Sequence, residues 1–274
     1  MLDGATLNGL NLSGVELQSA VLRGSTFIDA ELSGAKLHKI IVDAVDFQRA
    51  LLGRADFSEA HISESDFGFS WMIESALVDA QVRNCDFRKA NLQSARFAGA
   101  LLENCKFSEA QMNGASFHHA KMALCDFSQS DFSEAQFMRA QIEAGRFLAA
   151  NGSDSNFTRS RLKGCDFSRA ELAGAKFQQA DLTGSEFDRT RLREADLREA
   201  QLGGVSLCQA DLTEARFAAA SLMAADLRGA DLTGARELTA AQLMQARTDS
   251  STILPNGSRG PYRKYSGAER PAMR

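Results

Sequence analysis

The sequence predicts an all-β solenoid, a chain that coils repeatedly around a narrow core. A large apolar residue, mostly Leu or Phe, occupies every fifth position from Leu2 to Leu232 without an insertion or deletion. A small residue, usually Ala, Ser, Cys or Gly, stands two positions before each of them. Residues five apart diverge by about 140° around an α-helix and alternate between the faces of a continuous strand, so the chain must turn once per repeat.

The spacing of core residues also predicts how many sides each coil has. Phenylalanine recurs every ten residues from Phe87 to Phe187, and the cysteines Cys85, Cys105 and Cys125 are twenty residues apart. Both spacings coincide if four repeats of five residues make one coil. We therefore expect a quadrilateral β-helix of about twelve coils, on the order of 56 Å long at roughly 4.8 Å per coil.

Aromatic columns are expected to determine how this core packs. Phe87, Phe107 and Phe127 would stack in one column, whereas Phe132 is the single phenylalanine of its own column. Gly152, one coil further along, is the one central position without a side chain. We expect the Phe132 ring to lean into the space at Gly152, because an empty cavity there would cost roughly 2–5 kcal/mol. A ligand pocket beside Gly152 is the alternative.

The repeats NLQSA, DLTGS, DLREA, DLRGA and DLTGA resemble those of the pentapeptide-repeat proteins, over about residues 1 to 235. This resemblance implies a right-handed quadrilateral parallel β-helix. Some proteins of that family, including the Qnr quinolone-resistance group, imitate or displace DNA at type II topoisomerases such as DNA gyrase. The resemblance therefore implies, as an alternative function, protection of a topoisomerase against inhibitors by a DNA mimic.

Outward positions become unusually apolar in one short stretch of the array. An exposed aromatic cluster of this kind is typical of a protein contact site. The alternative is that the two aromatic side chains fold over a corner and cover their own repeat. The candidate contact residues are Leu51, Phe69, Trp71, Ile73 and Val78.

The five-residue rhythm ends after Gly234. Thr239 with Gln242 three residues later forms a helix start signal, and Leu238 with Leu243 forms a hydrophobic staple. We expect residues 236–255 to hold a short capping helix with its return segment, and 256–274, rich in Gly, Ser and Arg, to be a flexible basic tail.

Either end of the array could also mediate a homodimer. The resemblance implies this role for the C-terminal helix, whose contact residues would be the same four. At the other end Leu2 already holds a central position. The first coil would then be frayed, or its open edge would pair with a second copy.

Composition gives no indication of chemistry. The formal net charge of the 274 residues is −4, with acidic and basic residues interspersed. Five cysteines at inward or isolated positions predict small buried residues, not a disulfide framework, and four histidines lack metal-ligand spacing. We expect no catalytic residue, metal, cofactor or small-molecule ligand. Without an apolar run of membrane-spanning length, a cytoplasmic location is expected.

These observations favour a non-enzymatic scaffold that presents columns of outward side chains to a protein partner. They leave the partner unidentified.

Overall fold

The computed structural model describes residues 1–272, and the chain forms two compact units, residues 1–140 and residues from Gln141 onward. Each unit is built of parallel pairings between residues twenty apart, so the expected all-parallel β-helix is confirmed. Because a residue pairs with the one twenty positions later, one turn contains four five-residue repeats.

The first unit contains seven strands on one side of the β-helix. Val42 pairs with Leu22 and with Ile62, its neighbours in the adjacent coils. The other three sides are paired through single residues, for example Leu51 with Trp71. The strands are β1 (Leu2–Asp3), β2 (Val21–Arg23), β3 (Ile41–Asp43), β4 (His61–Ser63), β5 (Gln81–Arg83), β6 (Leu101–Glu103) and β7 (Lys121–Ala123).

The second unit begins with β8 (Gln141–Glu143) and β9 (Arg161–Lys163), which pair in parallel. Beyond β9 the same side is reduced to single bridges, such as Asp181 with Gln201, because the turn begins one residue earlier in these coils. Within residues 1–272, nine turns therefore carry a regular strand. Regular strands thus occur in fewer turns than the expected twelve coils, and single bridges continue the twenty-residue pairing beyond them as far as Arg216 with Arg236.

The core of the first unit consists of stacked phenylalanine rings. Phe107 stacks on Phe87 and on Phe127 with ring centroids 4.9 Å apart in both pairs. Phe97 meets Phe107 edge to face at 6.0 Å. Offset stacks and edge-to-face pairs are the favourable arrangements of aromatic rings, so these contacts stabilise the packing of successive coils.

Phe132 and Gly152 are both buried, but in different units. The Phe132 ring lies edge to face with Phe137 at 5.7 Å. The expected contact between Phe132 and Gly152 stays a prediction.

The bends between sides have left-handed backbone, and most of the residues that adopt it are not glycine. Arg49, Phe69 and Lys89, at equivalent bends of three coils, have φ of 57°, 58° and 59°. Left-handed backbone is unfavourable for residues with a Cβ atom. At these three bends the backbone N–H donates a hydrogen bond to the adjacent coil, as from Phe69 to the Arg88 carbonyl at 3.0 Å. These inter-coil bonds hold the strained conformation in place.

One helix, α1 (Ala240–Gln245), follows the array. Thr239 is its N-cap, and Thr239 and Gln242 form the expected capping box. Leu238 and Leu243 are buried, while the Gln242 side-chain amide donates to the Phe217 and Ala220 carbonyls at 2.8 and 2.9 Å. The capping helix is thus confirmed. It covers the last coil with apolar side chains and satisfies two of its carbonyls.

After α1 the chain returns alongside the array, where Ile253 bridges Asp231. Residues 256–272, expected to be flexible, fold back in the structure. The Tyr262 N–H donates to the Thr248 hydroxyl at 2.8 Å, and Ala268 is buried. The remaining two residues of the expected tail, Met273 and Arg274, lie outside the described residues.

Candidate protein-contact surface

An apolar pair stands on one side of two consecutive coils in the first unit. Leu51 and Trp71 are bridge partners, and 41 % and 53 % of their surfaces are exposed. Their neighbours in the same column are polar, with Glu31 bridged to Leu51 and Asn91 bridged to Trp71. The pair is therefore an isolated apolar area within an otherwise polar side.

Phe69 and Ile73 extend this area to the two adjoining bends. Phe69 is 53 % exposed, and the Lys89 ammonium lies 5.6 Å from the centroid of its ring. Ile73 is half-buried. The alternative, in which Phe69 and Trp71 fold over a corner and cover their own repeat, accounts for only part of their surface, because about half of each residue is exposed to solvent. We call the area formed by Leu51, Phe69, Trp71 and Ile73 the Trp71 surface.

Val78 does not belong to this area. It is half-buried at the far end of the next side, which runs from Ala76 to Ala80. The structure therefore brings together four of the five candidate contact residues and places the fifth one bend away.

A slot beside Phe69 was not predicted from the sequence. Gly68 occupies a bend position between Gln48 of the preceding coil and Arg88 of the following coil, so a column of long side chains is interrupted there. The opening has a volume of about 240 Å³. A glycine between two long side chains in one column is the signal that could have indicated it. We call this opening the Gly68 slot.

Charged side chains around the Trp71 surface pair along their columns. The Arg49 Nε lies 2.7 Å from an Asp29 carboxylate oxygen, the Arg54 Nε 2.8 Å from Glu74, and the Lys89 Nζ 3.4 Å from Glu109. Exposed pairs of this kind contribute at most about 1 kcal/mol each to stability. Their main effect is to leave this surface without an extended region of one charge.

Four of the five cysteines, Cys85, Cys105, Cys125 and Cys165, are buried, and all five are free. Burial raises the pKa of the Cys165 thiol to about 12, and it also raises the pKa of the half-buried Cys208. These two thiols are thus almost entirely protonated at neutral pH, and a protonated thiol is a poor nucleophile. Across residues 1–272, no cluster of three or more potential ligands could hold a metal ion.

The C-terminal candidates face the last coil of their own unit. Leu238, Gln242 and Leu243 are all buried there, and Thr239 is engaged in the capping box. The large apolar side chain that α1 leaves exposed is Met244, which the sequence reasoning did not identify.

Two family models match the chain. The one described as pentapeptide repeat region matches residues 40–117 and 100–177, and the one described as pentapeptide repeats (8 copies) matches residues 2–38, 170–207 and 200–236. The protein belongs to the pentapeptide-repeat family. Among curated proteins, none matches this chain.

Solved structures of other pentapeptide-repeat proteins resemble it. QnrB1, a plasmid-mediated fluoroquinolone resistance protein, is 19 % identical over 78 % of this chain and 90 % of its own, with a TM-score of 0.44. HetL from the cyanobacterium Nostoc, involved in heterocyst differentiation regulation, is 24 % identical over 94 % and 93 %, with a TM-score of 0.31. A protein from the thylakoid lumen of Arabidopsis thaliana is 23 % identical over 43 % and 68 %, with a TM-score of 0.29.

In the described part of the chain, no helix has both the length and the apolar character needed to cross a membrane.

Proposed function

We propose that this protein is a non-enzymatic scaffold that binds a protein partner through the Trp71 surface. The observation that carries the proposal is the exposure of Leu51 and Trp71 as neighbours on consecutive coils. Tryptophan is enriched among the residues that dominate the binding energy of protein interfaces.

The β-helix itself does not require these side chains. Its core is formed by the inward residues of the same coils, such as Leu52, Phe67 and Met72, which are fully buried. Glu31 and Asn91 occupy the equivalent outward positions one coil away from the apolar pair. Because polar residues satisfy the fold at these positions, the exposed apolar residues are better explained by a contact outside the chain.

The charge pattern favours this function over the DNA-mimic alternative. A DNA mimic needs a continuous acidic surface, whereas the carboxylates of Asp29, Glu74 and Glu109 are each paired with a cation of the adjacent coil. The formal net charge of −4 over 274 residues is correspondingly small.

The proposal is tested by quantitative capture of partners from a lysate of the source organism. The double variant Trp71→Ser, Ile73→Ser removes two of the four apolar side chains of the Trp71 surface, while Leu124→Ser removes a 62 % exposed leucine elsewhere in the same unit. We expect the double variant to lose at least about tenfold of a discrete partner, since losing an interface tryptophan costs about 2 kcal/mol or more, and the Leu124 variant to retain it. An unchanged set of partners on a double variant with an unchanged melting temperature would refute the proposal.

A further inference from the structure

The Gly68 slot stays open because neither neighbouring side chain fills it. The Gln48 side-chain amide turns to Asp66 and donates to Oδ2 at 2.8 Å. The Arg88 guanidinium turns back to Asp86, with Nη2 2.6 Å and Nε 2.7 Å from Oδ2. A volume of about 240 Å³ remains beside the Phe69 ring. This is below the usual range of small-molecule pockets, roughly 300–1,000 Å³, and suits one side chain of a larger partner.

The side chains that line this slot carry one more negative charge than positive charge. The pKa of Arg88 is raised chiefly by its hydrogen bond to Asp86, and Asp66 adds a smaller electrostatic effect. Arg88 is bound by Asp86, and Lys89 lies 3.4 Å from Glu109. The Asp66 carboxylate accepts from two neutral donors, the Gly68 N–H at 2.7 Å and the Gln48 amide. Among the described residues, no cation lies within ion-pair distance of Asp66. A carboxylate can accept about four hydrogen bonds, so Asp66 retains capacity for a charged donor.

The Phe69 ring beside the slot favours an arginine guanidinium over a lysine ammonium. Phe69 is an exposed aromatic ring, and aromatic faces attract cations within about 6 Å of the ring centroid. Lys89 of the same lining already makes such a contact at 5.6 Å, so a partner cation on that face would replace its ammonium. A guanidinium is planar, stacks on aromatic faces and binds a carboxylate through two parallel donors, which an ammonium cannot do. Phe69 also belongs to the Trp71 surface. A partner side chain in the slot would therefore lie next to the partner's apolar side chains that contact Leu51 and Trp71.

We propose that the Gly68 slot receives an arginine side chain of the bound partner, held by Asp66 and stacked on Phe69. This inference rests on the proposed function and specifies its partner: a segment in which an arginine lies within a few residues of apolar side chains.

The test uses a phage library of random twelve-residue peptides, selected on the full-length protein. Selected peptides are then measured by fluorescence anisotropy on the wild type, on Asp66→Asn and on Asp46→Asn. Asp46 is the matched control, because it holds the same turn one coil away, accepting from the Gln48 N–H at 2.9 Å. Each peptide is also made with citrulline, the neutral analogue of arginine.

We expect arginine next to apolar residues to be enriched among the selected peptides. Replacement by citrulline is expected to weaken binding to the wild type and to Asp46→Asn about tenfold, as for one charge-assisted hydrogen bond, and to weaken binding to Asp66→Asn much less, because only the contact with Phe69 is then lost. If Asp66→Asn does not fold, Gly68→Gln replaces it as the test variant. Gly68 has no left-handed strain, and the Cβ atom of a glutamine there would lie 3.0 Å from the Asp66 Oδ1, so this side chain would compete with an arginine for the carboxylate.

Absence of arginine enrichment, selection of lysine in its place, or an equal citrulline effect on Asp66→Asn would overturn the inference. The two proposals fail separately. Peptides that depend on Asp66 but bind the Trp71→Ser, Ile73→Ser variant normally would exclude the Trp71 surface, and the opposite dependence would exclude the slot alone.

Discussion

Two buried serines beneath the Trp71 surface differ in a single hydrogen bond. Ser70 and Ser75 are both fully buried at inward small positions. The Ser70 hydroxyl donates to the Phe67 carbonyl at 2.7 Å, whereas the Ser75 hydroxyl has no partner within residues 1–272. A buried hydroxyl without a hydrogen-bond partner destabilises the folded state, whereas a buried hydroxyl that donates a hydrogen bond stabilises it.

Replacement by alanine is therefore expected to have opposite effects at these two positions. Ser75→Ala should raise the free energy of unfolding by about 1 kcal/mol, and Ser70→Ala should lower it by about 1 kcal/mol. Urea denaturation followed by circular dichroism measures both, each variant serving as the control for the other. A loss of stability in Ser75→Ala equal to that in Ser70→Ala would contradict the assignment.

Residue identities predict inward positions well and outward geometry poorly. The five-residue period is sufficient to identify Phe107 and its neighbours as core, because no other arrangement buries that pattern. It does not reveal that Phe69 adopts left-handed backbone, since the inter-coil hydrogen bond that holds the bend joins residues far apart in sequence. The Gly68 slot was missed for the same reason, because it depends on where Gln48 and Arg88 direct their side chains.

At the level of elements, α1 is connected to the array by one polar side chain. Gln242 joins the capping box of the helix to the carbonyls of Phe217 and Ala220. Its amide thus satisfies the Ala220 carbonyl, which a further coil would otherwise pair. It is a second donor to the Phe217 carbonyl, which also accepts from the Ala220 N–H at 3.0 Å.

Gln242→Leu is expected to loosen the C-terminal coils. Leucine keeps the apolar cover but removes the donor to the Ala220 carbonyl, at a cost of about 1–3 kcal/mol for a buried group left unpaired. The Phe217 carbonyl still accepts from the Ala220 N–H at 3.0 Å. Hydrogen exchange measured by mass spectrometry should become faster in peptides spanning 217–232. Gln245→Leu, at an exposed position of the same helix, is the control and should leave exchange unchanged. Equal exchange in the two variants would show that Gln242 does not hold this end.

The sequence predicted α1 because its start signal is local, requiring only Thr239 and Gln242 three residues apart. The path of residues 256–272 could not be predicted in this way. Its hydrogen bonds, such as that from Tyr262 to Thr248, join segments without a repeated pattern.

At the level of the whole molecule, different residues determine the fold and form the proposed contact site. Stability in a solenoid is approximately a sum over neighbouring coils, so most outward positions can change without loss of the fold. A contact site is then expected where outward residues depart from the polar pattern, as they do at Leu51 and Trp71. The sequence predicts this location because the departure is visible in the repeat. It does not specify the partner, because the repeat describes only interactions within the chain.

Site-specific photocrosslinking tests the central claim most directly. A benzophenone amino acid is placed at position 91 in one variant and at position 124 in another. Asn91 is the bridge partner of Trp71 and lies beside the Trp71 surface without belonging to it, and Leu124 is exposed in the first unit. After irradiation of a lysate of the source organism, we predict a discrete crosslinked protein from position 91 and none from position 124. The same product from both positions, or no product from position 91 in a folded protein, would contradict the account.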